Sequence, residues 1–160
     1  AWNGKLVYSD PPEAVVFTDA CSKAGGVWVE ETKRFPEIDM NFPLVGAEIH
    51  EHITYQETAA AADGLVHTLV ERDYRMCTVA MKIDATAAIK YMKCSGGKKL
   101  ALARRVWDSV KETRRRRVYV GSNNDFGTWH VQGKKNPADK PSRKVPAKNR
   151  LKTKKRHGKV

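Results

Sequence analysis

The chain has 160 residues, 41% of them hydrophobic and 30% charged, with four Trp, five Tyr and four Phe. That is enough for one domain with a real core and a tail, and too apolar for a wholly disordered, collagen-like or disulfide-scaffold chain. Thirty Lys and Arg against 18 Asp and Glu give net +12, and the segment 144–160 holds eight basic residues and no acid, which leaves residues 1–143 at +4.

No apolar run approaches the roughly 18 residues of a membrane span, and the opening Ala1-Trp2-Asn3-Gly4-Lys5 lacks the charged and apolar regions of a secretory signal. The expectation is an intracellular protein of the cytoplasm or nucleus, neither membrane-bound nor secreted. An opening Ala in place of Met points to a processed product or a piece of something longer.

Residues 1–13 form a lead-in that carries the turn-prone Ser9-Asp10-Pro11-Pro12. Ala14 to Thr18 is a β-branched apolar run ending at Asp19, the pattern of a strand buried on both faces. Val27-Trp28-Val29 resumes after Gly25-Gly26 as the second arm of a hairpin, and Phe42 to Ala47 is a candidate third strand. From Tyr55 to Glu71, Tyr55, Ala59, Ala62, Val66 and Leu69 recur at helical spacing, and Thr54-x-x-Glu57 has the form of a capping box. Cys77 to Ile83 alternates with period two and ends at Asp84.

Thr86 to Met92 reads as a short helix stopped by Gly96-Gly97. Leu100 to Arg114 reads as a longer one with Leu100, Ala103, Val106 or Trp107, and Val110 inward. Val118 to Val120 and Thr128 to Val131 compete for the last core strand. Together these segments describe a mixed sheet flanked by helices. The segment 144–160 has too little apolar content to offset its ordering entropy, so it is expected to be a disordered basic tail drawn to polyanions, nucleic acid first among them. A merely solubilising tail is the plainer alternative.

Cys21, Cys77 and Cys94 are odd in number and widely spaced, which suits reduced, mostly buried thiols rather than a zinc site. Glu48, His50 and His52 would share one side of a strand, an arrangement that fits a solvated edge better than a metal site. Four acids stand out by position: Asp19 and Asp84 at strand ends, Glu57 in a first helical turn and Asp139 after Asn136-Pro137-Ala138. Each has a structural alternative. Glu57 could cap its helix and lies off the main apolar stripe, and the three aspartates could be turn acids.

Taken in order, Phe17-Thr18-Asp19-Ala20-x-Ser22, Glu57-Thr58-Ala59-Ala60, Ile83-Asp84-Ala85 and Asn136-Pro137-Ala138-Asp139-Lys140-Pro141-Ser142-Arg143 resemble the ribonuclease H domain of reverse-transcribing elements. The last motif is similar to the close of this domain in retrotransposons and hepatitis B-like viruses, and His52-Ile53-Thr54 is similar to tyrosine-recombinase retroelements. The likeness runs over residues 14–143, with unmatched stretches at 30–50 and 118–128. It implies a ribonuclease H-like α/β (α+β) domain over 14–143, a mixed five-stranded sheet flanked by helices. It further implies a metal-dependent endonuclease that hydrolyses the RNA strand of RNA:DNA hybrids, as part of a polyprotein with an attached or associated reverse transcriptase.

On this resemblance Asp19, Glu57, Asp84 and Asp139 are the catalytic, metal-binding carboxylates, and the cofactor is two Mg²⁺, with Mn²⁺ as a substitute. The chemistry agrees, because closely packed carboxylates repel one another unless cations are present, and magnesium prefers oxygen ligands. The resemblance has one departure. Cellular relatives carry a mobile His before the last acid, where this chain has Gln132-Gly133-Lys134-Lys135, and His130 lies in an expected strand.

Lys23, Arg114, Arg115, Arg116, Arg117, Lys134, Lys135 and Arg143 are the candidate nucleic-acid contacts, with Lys82, Lys98, Lys99, Arg104 and Arg105 behind them. The run Arg114 to Arg117 also sits where positive charge complements a helix carboxyl end. Two other readings stay open: a catalytically silent nucleic-acid-binding or assembly domain of the same fold, and an integrase-like core acting on DNA. The second is weakened because its last acid is usually a Glu on a long helix.

Overall fold

The computed structural model describes residues 12–21, 24–31, 38–43, 52–93, 100–121 and 130–143. Lys23, Lys98, Lys99, Cys94, Glu48, His50 and the basic segment 144–160 lie outside them, as does most of the lead-in. The elements are β1 Ala14–Ala20, β2 Ala24–Glu31, β3 Ile38–Pro43, α1 Ile53–Glu71, β4 Thr78–Ile83, α2 Thr86–Lys93, α3 Leu100–Arg116, β5 Tyr119–Val120 and α4 Asp139–Arg143. No helix among the described residues is long and apolar enough to cross a membrane.

The five strands lie in the order β3-β2-β1-β4-β5. The meander β1 to β3 is antiparallel, whereas β4 pairs parallel with both β1 and β5. Parallel neighbours need a crossover, and α1 supplies it between β3 and β4, as α2 and α3 do between β4 and β5. The β-branched runs Val15-Val16 and Val27-Trp28-Val29 therefore become the sheet's middle, with Val16, Val27 and Val29 fully buried against α1. The third strand begins at Ile38, four residues before the expected start at Phe42. Of the two rivals for the last strand, Tyr119–Val120 forms it, and from 128–131 the described part is an isolated parallel bridge of His130 to Ile83.

Helix α1 is buried almost all round, and Ala59, Ala60, Ala61 and Ala62 are each 0% exposed. Their lack of bulk lets α1 sit close to the sheet on one side and to α2 and α3 on the other. The expected capping box is not how α1 begins. His52 is the N-cap, its Nδ1 accepting from the Thr54 amide at 3.2 Å. Glu57 is thus released from capping.

Helix α3 buries Leu102, Val106, Ser109, Thr113 and Arg116, a stripe of alternating four- and three-residue steps. Leu100, expected inward, is 66% exposed, and of the alternatives Val106 and Trp107 it is Val106 that is buried, Trp107 being 45% exposed. Arg116 takes the last position of this stripe. Its guanidinium meets Glu112 at 2.6 Å and Asp73 at 2.9 Å, and the Met76 amide donates to the Arg116 carbonyl at 2.9 Å. These bonds join the end of α3 to the turn after α1, where Asp73 and Met76 adopt positive φ.

Side-chain alternation also fixes where α4 sits. Val27 faces α1, so its neighbour Gly26, the cross-strand partner of Asp19, faces away. A Cβ built on Gly26 would lie 2.2 Å from the Ser142 backbone nitrogen and 2.8 Å from the Ala138 carbonyl oxygen. Gly26 is the opening through which α4 reaches the sheet.

Candidate metal centre

Two aspartates are brought together by strand register alone. Thr18 pairs with Ile83 in the parallel β1–β4 ladder, so Asp19 and Asp84 follow side by side at the carboxyl ends of adjacent strands. Ligand sites in such sheets gather at that edge. Glu57 comes from the second turn of α1, whose close packing on β1 aims its carboxylate at the same edge. One carboxylate oxygen each of Asp19, Glu57 and Asp84 lies within 4.8 Å of the others.

Asp19 and Glu57 are 6% and 7% exposed, and Glu57 Oε2 has no hydrogen-bond partner among the described residues. Burial, then the Asp84 charge, pushes the Asp19 carboxyl up to about 6. Burial, then the charges of Asp19 and Asp84, pushes Glu57 up to about 9. Such crowding disfavours ionisation unless a cation shares the site. An orphaned buried oxygen and three converging oxygen donors fit a hard divalent cation. The acidic cluster can therefore hold a metal ion.

Asp139, at the start of α4, stands beside this trio. Its Oδ1 accepts from Arg143 Nε at 3.0 Å, and its charge contributes to the rise at Asp19. The Ser142 hydroxyl lies 3.1 Å from Asp19 Oδ2 and 2.8 Å from the Asp139 carbonyl oxygen, so it connects the two acids. Asn136 holds the approach to α4: its Nδ2 donates to the Thr18 carbonyl at 3.0 Å and its Oδ1 accepts from the Ala138 amide at 3.1 Å. Cys21 Sγ donates to the Ser142 carbonyl at 2.9 Å. Sequence reasoning singled out Asp139 and missed the roles of Asn136, Ser142 and Gly26. Their signals were present as an Asn and a Ser three residues either side of Asp139, and as a glycine pair where a strand resumes.

The remaining candidates divide. Lys134 and Lys135 form a single 3₁₀ turn, Gly133–Lys135, whose glycine approaches the centre: a Cβ there would lie 3.5 Å from Asp84 Oδ2. Arg114 is exposed and stacks over Trp107 at 5.4 Å. Arg115 and Arg117 are exposed, Arg115 pairing with Glu112. Arg116 is 7% exposed and committed to Glu112 and Asp73, which removes it from the nucleic-acid candidates. Arg105 pairs with Asp63, and His130 Nε2 lies 3.1 Å from the Asp84 carbonyl oxygen.

No protein-family model and no curated relative matches the sequence. Among solved structures the chain is similar to RNase H1 of the halophilic archaeon Halobacterium salinarum NRC-1, at 10% identity and TM-score 0.53, over 81% of this chain and 91% of that one. It also matches the foamy viral protease-reverse transcriptase solved in complex with an RNA/DNA hybrid, at 13% identity and TM-score 0.43, over 69% of this chain and 15% of that one. The fold is ribonuclease H-like, a sheet flanked by helices.

Proposed function

We propose that the chain is a metal-dependent endonuclease hydrolysing the RNA strand of RNA:DNA hybrids, the ribonuclease H domain of a reverse-transcribing element, working attached to or beside a reverse transcriptase. The observation that carries this reading is the trio of Asp19, Glu57 and Asp84, with ligand oxygens within 4.8 Å of one another at the carboxyl ends of β1 and β4, one of them buried without a partner among the described residues. The ordered motifs around these acids, through Asn136 to Arg143, support the retroelement assignment.

Asp19, Glu57, Asp84 and Asp139 would hold the cations, Mg²⁺ or in its place Mn²⁺. Bound in a pair, such ions lower the pKa of a water and neutralise charge on the attacking and leaving oxygens. The chain's own groups fix the ligands. Ser142 orients Asp19 through its hydroxyl, Asn136 fastens the α4 approach to the end of β1, and His130 braces the Asp84 backbone. Arg143 holds Asp139 at the rim. No side-chain nucleophile is then required, which suits a site whose described polar groups are mainly carboxylates.

Arg114, Arg115, Arg117, Lys134, Lys135 and Arg143, with Lys23 and the basic tail, supply the positive charge that a duplex needs for affinity, and hydrogen bonds to 2′-hydroxyls distinguish RNA from DNA. The test is cleavage of an end-labelled RNA:DNA hybrid, with double-stranded DNA and RNA as comparisons. RNA-strand products with Mg²⁺ or Mn²⁺ and none with EDTA are expected. A chain that binds the hybrid and never cuts it would be the catalytically silent domain instead.

A further inference from the structure

The sheet is open along β5, far from the carboxylate trio. The amides of Tyr119 and Gly121 donate inward, to the carbonyls of Cys77 and Val79. Alternation along a parallel ladder turns the N–H and C=O of Val120 the other way, to the outside of the sheet, where they make no bond among the described residues. Beside this edge, on the α1 side of the sheet, is an apolar groove of about 250 Å³ walled by Leu65, Met81, Met92, Val110, Val118 and Val120. A free strand edge next to an apolar groove is a template for one more strand with an apolar side.

Two end segments of the chain lie outside the described residues, 1–11 and 144–160. The second is a poor fit. It leaves α4, which docks on the opposite face of the sheet, and its eight basic residues would meet Arg114 in the groove wall. Residues 1–11 hold one Lys and one Asp, and at period two they place Trp2, Leu6 and Tyr8 on one side against Asn3, Lys5 and Ser9 on the other, with Val7 the exception. Their route is also short enough. The Glu13 amide donates to the Thr78 carbonyl at 2.9 Å, at the amino end of β1, and Thr78 pairs with Tyr119. From β1 past β4 and β5 to a position outside β5 is three strand spacings, roughly 14 Å. Tyr8 to Glu13 is five residues, roughly 16 Å when extended. Pro11 and Pro12, which lack an amide hydrogen, fall in that crossing, where no ladder bond is needed. We propose that residues 2–8 form a sixth strand antiparallel to β5, pairing with the outward N–H and C=O of Val120 and laying Trp2, Leu6 and Tyr8 along the groove. The segment 1–11 is then part of the folded core, unlike 144–160. This concerns the edge of the sheet and stands or falls without the nuclease reading.

The test is NMR on the full chain, with methyl-labelled Leu and Val and with amide exchange followed at Val120. Nuclear Overhauser contacts between the Leu6 methyls and those of Val110 or Val118 are expected, together with slow exchange at the Val120 amide. Leu6→Asp with Tyr8→Asp should abolish the contacts and speed Val120 exchange by about tenfold or more, because the edge then opens without global unfolding. Asn3→Asp with Ser9→Asp, on the other side of the strand, should leave both readouts as they are. The contacts in the unmodified chain decide the matter even where the Leu6/Tyr8 variant fails to fold. Their absence overturns the proposal. So do contacts that arise only between differently labelled copies in a mixed sample, which would make the groove an interface between two copies of the chain.

Discussion

Gly26 and Glu57 show how single residues set up the centre, and each yields a test. Any side chain at Gly26 meets backbone atoms of α4, which cannot retract like the tip of a flexible side chain. Gly26→Ala is therefore expected to cost about 3 kcal/mol, the upper end for overpacking, read as a loss of chemical stability together with loss of the Ser142 contact to Asp19. Unaltered stability would mean that α4 does not dock against β2. Glu57 gives a pH dependence. Its carboxyl sits at about 9 and that of Asp19 at about 6, both above their ordinary values near 4. At low pH folded and unfolded chains hold these protons alike. As pH rises the unfolded chain releases them first, so in EDTA the melting temperature is expected to fall between about pH 5 and pH 9. Mg²⁺ should reduce that fall, and Glu57→Gln should reduce it without Mg²⁺. A flat profile in EDTA would contradict the crowded, buried arrangement.

At the scale of elements, α3 divides one basic run into two roles. Arg116 is the last residue of the buried stripe and ties α3 to the turn after α1, whereas Arg114 stacks on exposed Trp107. Arg116→Ala should lower the melting temperature with little change in the salt slope of hybrid binding. Arg114→Ala should do the opposite, and equal effects from the two would deny the division. The strand patterns of β1, β2 and β4 were legible because burial writes itself into β-branched runs and period-two alternation, and Asp19 and Asp84 were legible as the acids that end them. Glu57 was legible only through its motif. The burial of α1 on nearly every side leaves no single stripe to give it a direction, and the competing Thr54 cap could be dismissed only once His52 was seen in that place. The inward turn of Arg116 was hidden for a related reason, since a guanidinium enters the interior only where Glu112 and Asp73 wait for it. Asn136 and Ser142 act through bonds spanning more than a hundred residues, to Thr18 and Asp19, which local spacing does not encode.

Across the whole molecule, charge is separated. The sheet's carboxyl edge concentrates acids, while basic residues lie on the 3₁₀ turn, on the exposed face of α3 and, by sequence, in the segment 144–160. Removing residues 144–160 takes away eight basic residues. It should leave the melting temperature nearly unchanged while reducing the salt slope of hybrid binding, and an unchanged slope would show that segment to be idle. Whether the three clustered carboxylates hold catalytic cations is decided by comparing Asp84→Asn with the unmodified chain on one labelled RNA:DNA hybrid in Mg²⁺. The substitution keeps the shape of the side chain and removes a negative charge. Cleavage of the RNA strand is expected from the unmodified chain and none from the variant, whose hybrid binding should be equal or tighter because repulsion of the scissile phosphate is reduced. Full cleavage by the Asn variant would contradict catalytic cations at these carboxylates.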